Sequence, residues 1–373
     1  MVIPFMTMYL TQHIGTTISQ AGFVMSMFGT GAIIGALIGG RLSDKFGAYY
    51  IQICTLCGGG IMFLILGKMH SYYSICIVTF FLAMINEAFR PANSVAVALY
   101  SNEENRTRSF SLNRLAINLG WAFGGAIGGI LASFNYSYLF WVDGFSNIIA
   151  AIILYFVLAP SRNKASIRKQ INKAHFKKSA YSDHGYLFFI FGVFLFALCF
   201  FQLFTTLPVF YRVHFNLSLV YIGMLMAVNG LIISLFEMII IFKLEGKRPK
   251  LHFISVGVIL VGISYLLLIF NFINFSLLAL ISIFVITVGE ILSMPFMNSF
   301  WISRTSESNR GQYAALYTVA WASAQAAGPY LGSLLAQHYS YNILWVTIFL
   351  ITLLISGLYR WLHVRKAPVE LDL

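Results

Sequence analysis

The chain has 373 residues, of which 59% are hydrophobic, 16% aromatic and only 10% charged, whereas a soluble domain carries about 25% charged residues. That composition excludes water-soluble, disordered and collagen-like proteins and leaves a polytopic membrane protein. The formal charge of +12 is spread over the connections between apolar runs rather than gathered in a patch, which argues against a nucleic-acid partner.

At ~20 residues per span, apolar runs and polar breaks predict twelve helical spans. They lie at 1–11, 20–40, 49–67, 72–100, 110–132, 138–159, 186–210, 219–242, 251–270, 273–303, 312–337 and 342–362. The runs are too long and too uniform for the alternating strands of a membrane barrel. Of the 24 Lys and Arg, 20 fall in the even-numbered connections and the C-terminal tail, seven of them between Arg162 and Lys178. Only Lys68 and Arg212 stand in odd-numbered connections. The positive-inside bias puts both termini and the central connection in the cytoplasm, for a multi-pass protein of the cytoplasmic (inner) membrane.

Span 1 has three residues ahead of Pro4, whereas span 7 starts near residue 186, far ahead of the matching Pro208. Helix 1 therefore reads as truncated in this sequence. Span 2 carries Gly31, Gly35 and Gly39, whose four-residue spacing lets another backbone approach. Gly40-Arg41-Leu42-Ser43-Asp44-Lys45-Phe46-Gly47 follows. It reads as a short loop in which Gly40 and Gly47 permit the reversal while Asp44 and Lys45 stay in water or pair with a neighbouring helix. Cys54 and Cys57 in span 3 read as packing residues.

Charges within spans cost ~2.5–3.5 kcal/mol or more each, so they should face a cavity or a partner. Glu87 and Arg90 in span 4 are i and i+3, on one face with Asn86, Asn93 and Ser94. The pair reads either as a brace or as coupling machinery. In span 5, Arg114, Asn118, Trp121 and Gly125 share a face, and Arg114 can hold an anionic group or pair with a carboxylate. Asp143 in span 6 and Glu237 in span 8 lie close enough to the interfaces for solvation to compete with function. Glu290, in the middle of span 10, has no basic residue within two turns. Desolvation disfavours the charged form of such a carboxyl, the property a proton carrier needs. Glu290, Glu87, Arg90 and Asp143 are thus the proton-coupling candidates, and Arg114, Asn118, Gln202, Trp321 and Gln325 the substrate-cavity candidates. Walker, dinucleotide, nucleophile-elbow and Zn-protease patterns are all missing, so nothing points to an enzyme or a metal site.

The chain repeats itself about a polar stretch. A shift of 204 aligns 86–141 with 290–345 without a gap, with twelve identities that include Pro91/Pro295, Gly124/Gly328 and Trp141/Trp345. A shift of 201 pairs Gly22 with Gly223, Gly29 with Gly230 and Asp44 with Glu245. The expected organisation is an N-terminal six-helix half over 1–160, a basic linker over 161–185 that can hold a surface helix, and a C-terminal half with a short tail over 186–373. The fold class is all-α polytopic, with two parallel six-helix repeats.

Gly40 to Gly47 resembles the loop signature of the major facilitator transporters, and Gly120-x-x-x-Gly124-Gly125-x-x-Gly128-Gly129 resembles the antiporter motif of their drug:proton antiporter branch. The sequence departs from those patterns at Ala48 and Tyr49, where a basic residue usually follows, and at Gly125, which replaces a Pro. The resemblance implies a monomeric secondary transporter in the lipid bilayer. It would move a small amphipathic molecule by alternating access, with the proton gradient as energy source and no cofactor, as an efflux system for drug-like compounds. The alternatives are a proton-coupled importer of nutrients or peptides, and an uncoupled receptor or lipid-handling protein.

Overall fold

A computed structural model describes residues 1–101, 106–158, 179–270, 274–305 and 310–366. Among them the chain is helical throughout, with no strand. The N-terminal half comprises α1 (Val2–Met8), α2 (Ile18–Phe46), α3 (Ala48–Leu66), α4 (Tyr72–Glu87), α5 (Phe89–Tyr100), α6 (Arg106–Phe134) and α7 (Ser137–Val157). The C-terminal half comprises α8 (His184–Phe200), α9 (Thr206–Val213), α10 (Leu219–Leu244), α11 (Lys250–Leu266), α12 (Phe275–Ser303), α13 (Arg310–His338) and α14 (Tyr341–Lys366). Most of the expected linker lies outside the described residues.

Ten of the twelve spans, taken across their breaks, are long and apolar enough to cross a bilayer. The exceptions are α1, with 7 residues, and α13, whose 29 residues are rich in Ala, Ser and Gly and pack on α2 and α8. Two expected spans are broken at proline. Pro91 has no N–H for the Glu87 carbonyl, and the chain divides at Ala88 into α4 and α5. Pro208 likewise leaves the Phe204 carbonyl without its helical partner, and a 3₁₀ turn over Phe201–Phe204 separates α8 from α9. Pro295, the repeat counterpart of Pro91, leaves α12 continuous.

The expected loop over Gly40 to Gly47 is also different. Helix α2 runs through Gly40 to Phe46, and the reversal rests on Gly47 alone, whose φ of +92° is open to glycine. Gly40 contributes no turn. Lys45 sits over the Phe46 ring at 5.1 Å; the side chain of Asp44 lies outside the described residues.

Two crossings join the halves, α2 with α13 and α6 with α10. Both are close approaches at glycine that a side chain would block. A Cβ on Gly22 would stand 2.5 Å from Ser333 Oγ, and one on Gly29 2.5 Å from the Gln325 carbonyl oxygen. In the other crossing, a Cβ on Gly223 would stand 2.5 Å from the Gly125 carbonyl oxygen and 2.8 Å from Gly129 Cα. Gly22 with Gly223, and Gly29 with Gly230, are repeat pairs, so the crossings are equivalent by internal symmetry. The closest of these contacts lie toward the face opposite the basic one. Below them the halves leave a cavity.

Candidate functional site

The cavity has a volume of about 200 Å³ and is walled by both halves. Pro4 of α1 and Arg114, Asn118 and Trp121 of α6 come from one half. The α6 trio follows i, i+4, i+7 spacing and so shares a helical face. From the other half, α10 contributes Met226, Asn229, Ile233 and Glu237, again on one face, and α12 contributes Glu290, Ile291 and Met294. Gly257 and Gly289 bring α11 against α12 directly behind this wall; a Cβ on Gly289 would stand 2.8 Å from the Gly257 carbonyl oxygen. Aromatic rings close one side, with Trp121 and Phe204 centroids 5.3 Å apart across the two halves and Phe200 edge-on to Phe204 at 5.5 Å.

The polar groups form two clusters. Asn229 Nδ2 donates to Glu290 Oε1 at 3.0 Å and to Thr287 Oγ1 at 2.9 Å. Glu290 is 5% exposed and makes no ion pair among the described residues. Nearer the basic face, Arg114 pairs with Glu237, joining α6 of one half to α10 of the other. Of the two readings for Arg114, the carboxylate partner is the one realised, and the Glu237 side chain is 8% exposed rather than at a solvated interface.

The remaining candidates lie elsewhere. Glu87 and Arg90 form an i, i+3 pair at 2.7 Å with the Arg90 side chain 71% exposed, and neither lines the cavity. Asp143 of α7 accepts from the Val2 N–H at 2.8 Å, which ties α1 to α7. Gln202 is buried and spends its Nε2 on the Leu198 and Gly328 carbonyls at 3.0 and 2.8 Å, while Thr206 donates to its Oε1 at 2.9 Å. It holds α13 on the 3₁₀ turn instead of facing the cavity. Trp321 packs edge-on against Phe196, Phe200 and Phe201, and Gln325 sits on α13 where α2 crosses. Within the glycine motif, Gly125 and Gly129 meet α10, Gly124 and Gly128 meet α1, and nothing lies within 4 Å of a Cβ on Gly120.

Asn229, Met226, Phe200, Phe204 and Met294 are among the lining residues that the sequence alone does not single out. A signal for Asn229 was available, since it stands within about 80° of Glu237 around a mostly apolar helix.

The Major Facilitator Superfamily model matches residues 1–326 and 246–372 of this chain. An uncharacterized MFS-type transporter of Bacillus subtilis (strain 168), YttB, is 26% identical over 368 residues, covering 95% of this chain and 88% of its own length. A Na(+), Li(+), K(+)/H(+) antiporter of Planococcus maritimus is 23% identical over 347 residues, covering 84% and 80%. Among solved structures, a POT family transporter in complex with 5-aminolevulinic acid superposes with a TM-score of 0.76 at 17% identity, over 98% of this chain and 92% of that one.

Proposed function

The chain belongs to the Major Facilitator Superfamily of membrane transporters, and from that premise we propose that it exchanges protons for a small amphipathic organic molecule by alternating access, in the direction of efflux. Glu290 carries this reading. It is a carboxyl in the cavity wall that accepts a hydrogen bond from the neutral Asn229 and forms no ion pair among the described residues. Arg114 and Glu237 cancel one another, so the state of Glu290 sets the formal charge of the cavity: minus one when ionised, zero when protonated.

An unbalanced charge is costly in a low-dielectric enclosure. A proton or a cationic group on the substrate relieves it equally well, and each displaces the other from the same carboxylate. That competition is the chemical core of exchange. Trp121, Phe200, Phe204, Met226 and Met294 offer apolar and π surface to the body of such a molecule. Energy comes from the proton gradient, without a bound cofactor, and the protein works as a monomer. Glu87–Arg90 braces the α4–α5 break, and Asp143 braces the start of α1.

A second reading, exchange of an inorganic monovalent cation, is favoured by the oxygens of Glu290 and Thr287 that converge on Asn229 and by the name of the Planococcus relative. Proteoliposomes with an imposed pH gradient separate the two. Gradient-dependent accumulation of tetraphenylphosphonium, without sodium movement, is the expected result. Sodium movement alone would support the second reading, and binding without gradient-dependent flux would overturn both.

A further inference from the structure

The basic face of the C-terminal half holds a second cavity of about 560 Å³, apart from the one between the halves. The internal repeat shows that the fold does not require it. In the N-terminal half α2 turns into α3 through Gly47 alone, whereas the equivalent α10–α11 turn spends Glu245 to Pro249, with Gly246 at φ +77°. That longer turn carries Lys247 and Arg248 and ends at Lys250. The extra residues form the wall of the cavity, together with the end of α12 and His363 of α14.

Three of the lining cations are held in place. Lys250 Nζ donates to the Ser299 carbonyl at 3.2 Å. Arg248 Nη1 lies 3.4 Å from His252 Nε2. Arg304 donates to Asp183 through Nε at 3.1 Å and Nη2 at 2.5 and 2.6 Å, which leaves Nη1 without a hydrogen bond among the described residues. The acids do not balance them. Asp183 is already occupied, since it accepts from the Tyr186 N–H and the Tyr313 hydroxyl at 3.0 Å each as well as from Arg304. Glu245 is the remaining acidic side chain of the cavity, and neither it nor Arg248 nor Lys250 forms an ion pair among the described residues. Leu251, Phe296 and Phe300 add apolar surface to the lining.

Basic residues that merely set topology need no concavity and no fixed side chains. Here cations share a half-open concavity with apolar side chains, at the level where α11 enters the membrane. That combination suits a phosphate group carrying an apolar or glycerol appendage. We propose that this cavity binds a phosphate-bearing anion, delivered either as the headgroup of an anionic phospholipid or as a soluble phosphate compound.

Native mass spectrometry of the full chain, released from detergent and titrated with phosphatidylglycerol, phosphatidylcholine or inorganic phosphate, tests this. The wild type should show one tight phosphatidylglycerol site that phosphatidylcholine does not fill. The double variant R248Q/K250Q should bind about 30-fold more weakly, on the scale of one surface cation per lipid contact. E245Q should bind about 5-fold more tightly by the same scale, a gain that misfolding cannot imitate. Lys68→Gln, on the opposite face, should change nothing. Displacement of the lipid by equimolar inorganic phosphate would identify a soluble ligand, and resistance to a large excess would identify the lipid. Equal binding by wild type and R248Q/K250Q, or weaker binding by E245Q, would overturn the proposal.

Discussion

Gly223→Ala puts the far-face seal to the test. A Cβ at this position would stand 2.5 Å from the Gly125 carbonyl oxygen, 2.8 Å from Gly129 Cα and 3.1 Å from Gly129 N, all backbone atoms that cannot rotate away. Ordinary contact begins near 3.5 Å, so α10 must retreat from α6 by roughly 1 Å. Overpacking of this kind costs about 1–3 kcal/mol. The cost falls only on the arrangement in which the crossing is closed, so the population should move ~5- to 150-fold toward the arrangement with this face open. The assay is labelling of Met226→Cys by a membrane-impermeant maleimide applied from the face opposite the basic one, with Cys54, Cys57, Cys76 and Cys199 replaced by Ala. Labelling should accelerate at least about 5-fold with Gly223→Ala. Gly120→Ala, which meets nothing within 4 Å, is the control and should leave the rate unchanged. A folded Gly223→Ala protein that labels at the parental rate would refute the idea that this glycine crossing closes the cavity.

Arg114→Gln should lower thermal stability by about 1–3 kcal/mol because Glu237 is left without its cation, and adding Glu237→Gln should restore most of that loss; additive effects of the two changes would show that the pair does not couple the halves. Asp183 is partly buried, which alone would raise its carboxyl, but bonds from Arg304, the Tyr186 N–H and Tyr313 hold it below its usual 3.8. Its contribution to stability should therefore be fully present above about pH 4 and fade as pH falls through the lower folded-state value, and urea unfolding of Asp183→Asn at pH 3 to 7 should lose that part of the profile. Reporter fusions within 162–178 should read cytoplasmic and fusions near Lys68 external, and the reverse pattern would invert the orientation.

The spans and the repeat were legible because bilayer thickness and internal duplication both leave a periodic mark on the sequence. Gly22/Gly223 and Gly29/Gly230 surfaced as repeat pairs, and they are the residues at which the halves cross. What sequence could not supply is neighbours. Pro91 breaks its span while Pro295, its counterpart, does not, so the surrounding packing and not the residue decides the outcome. Gln202 reads as a cavity side chain because it is polar within an apolar run, but a backbone carbonyl of α13 stands 2.8 Å away and satisfies it. Distance from the end of a span places Glu237 near an interface, and that measure is blind to Arg114 on another helix. Helical spacing groups Arg114, Asn118, Trp121 and Gly125 on one face; the first three line the cavity, and Gly125 instead meets α10.

The central claim is that one carboxyl in the cavity exchanges the proton. Glu290→Gln keeps the shape, and its amide oxygen can still accept from Asn229, but it cannot release or take up a proton at neutral pH. The decisive measurement is tetraphenylphosphonium flux in proteoliposomes, with and without an imposed pH gradient, for wild type, Glu290→Gln and Glu87→Gln. Gradient-driven flux should fall to background in Glu290→Gln, and gradient-free exchange of labelled tetraphenylphosphonium should weaken with it because the carboxylate that proton and cation share is gone, while Glu87→Gln should retain coupling at reduced yield of folded protein. Full gradient-driven flux in Glu290→Gln, with coupling lost in a well-folded Glu87→Gln, would contradict the account and move the proton to the α4 carboxyl.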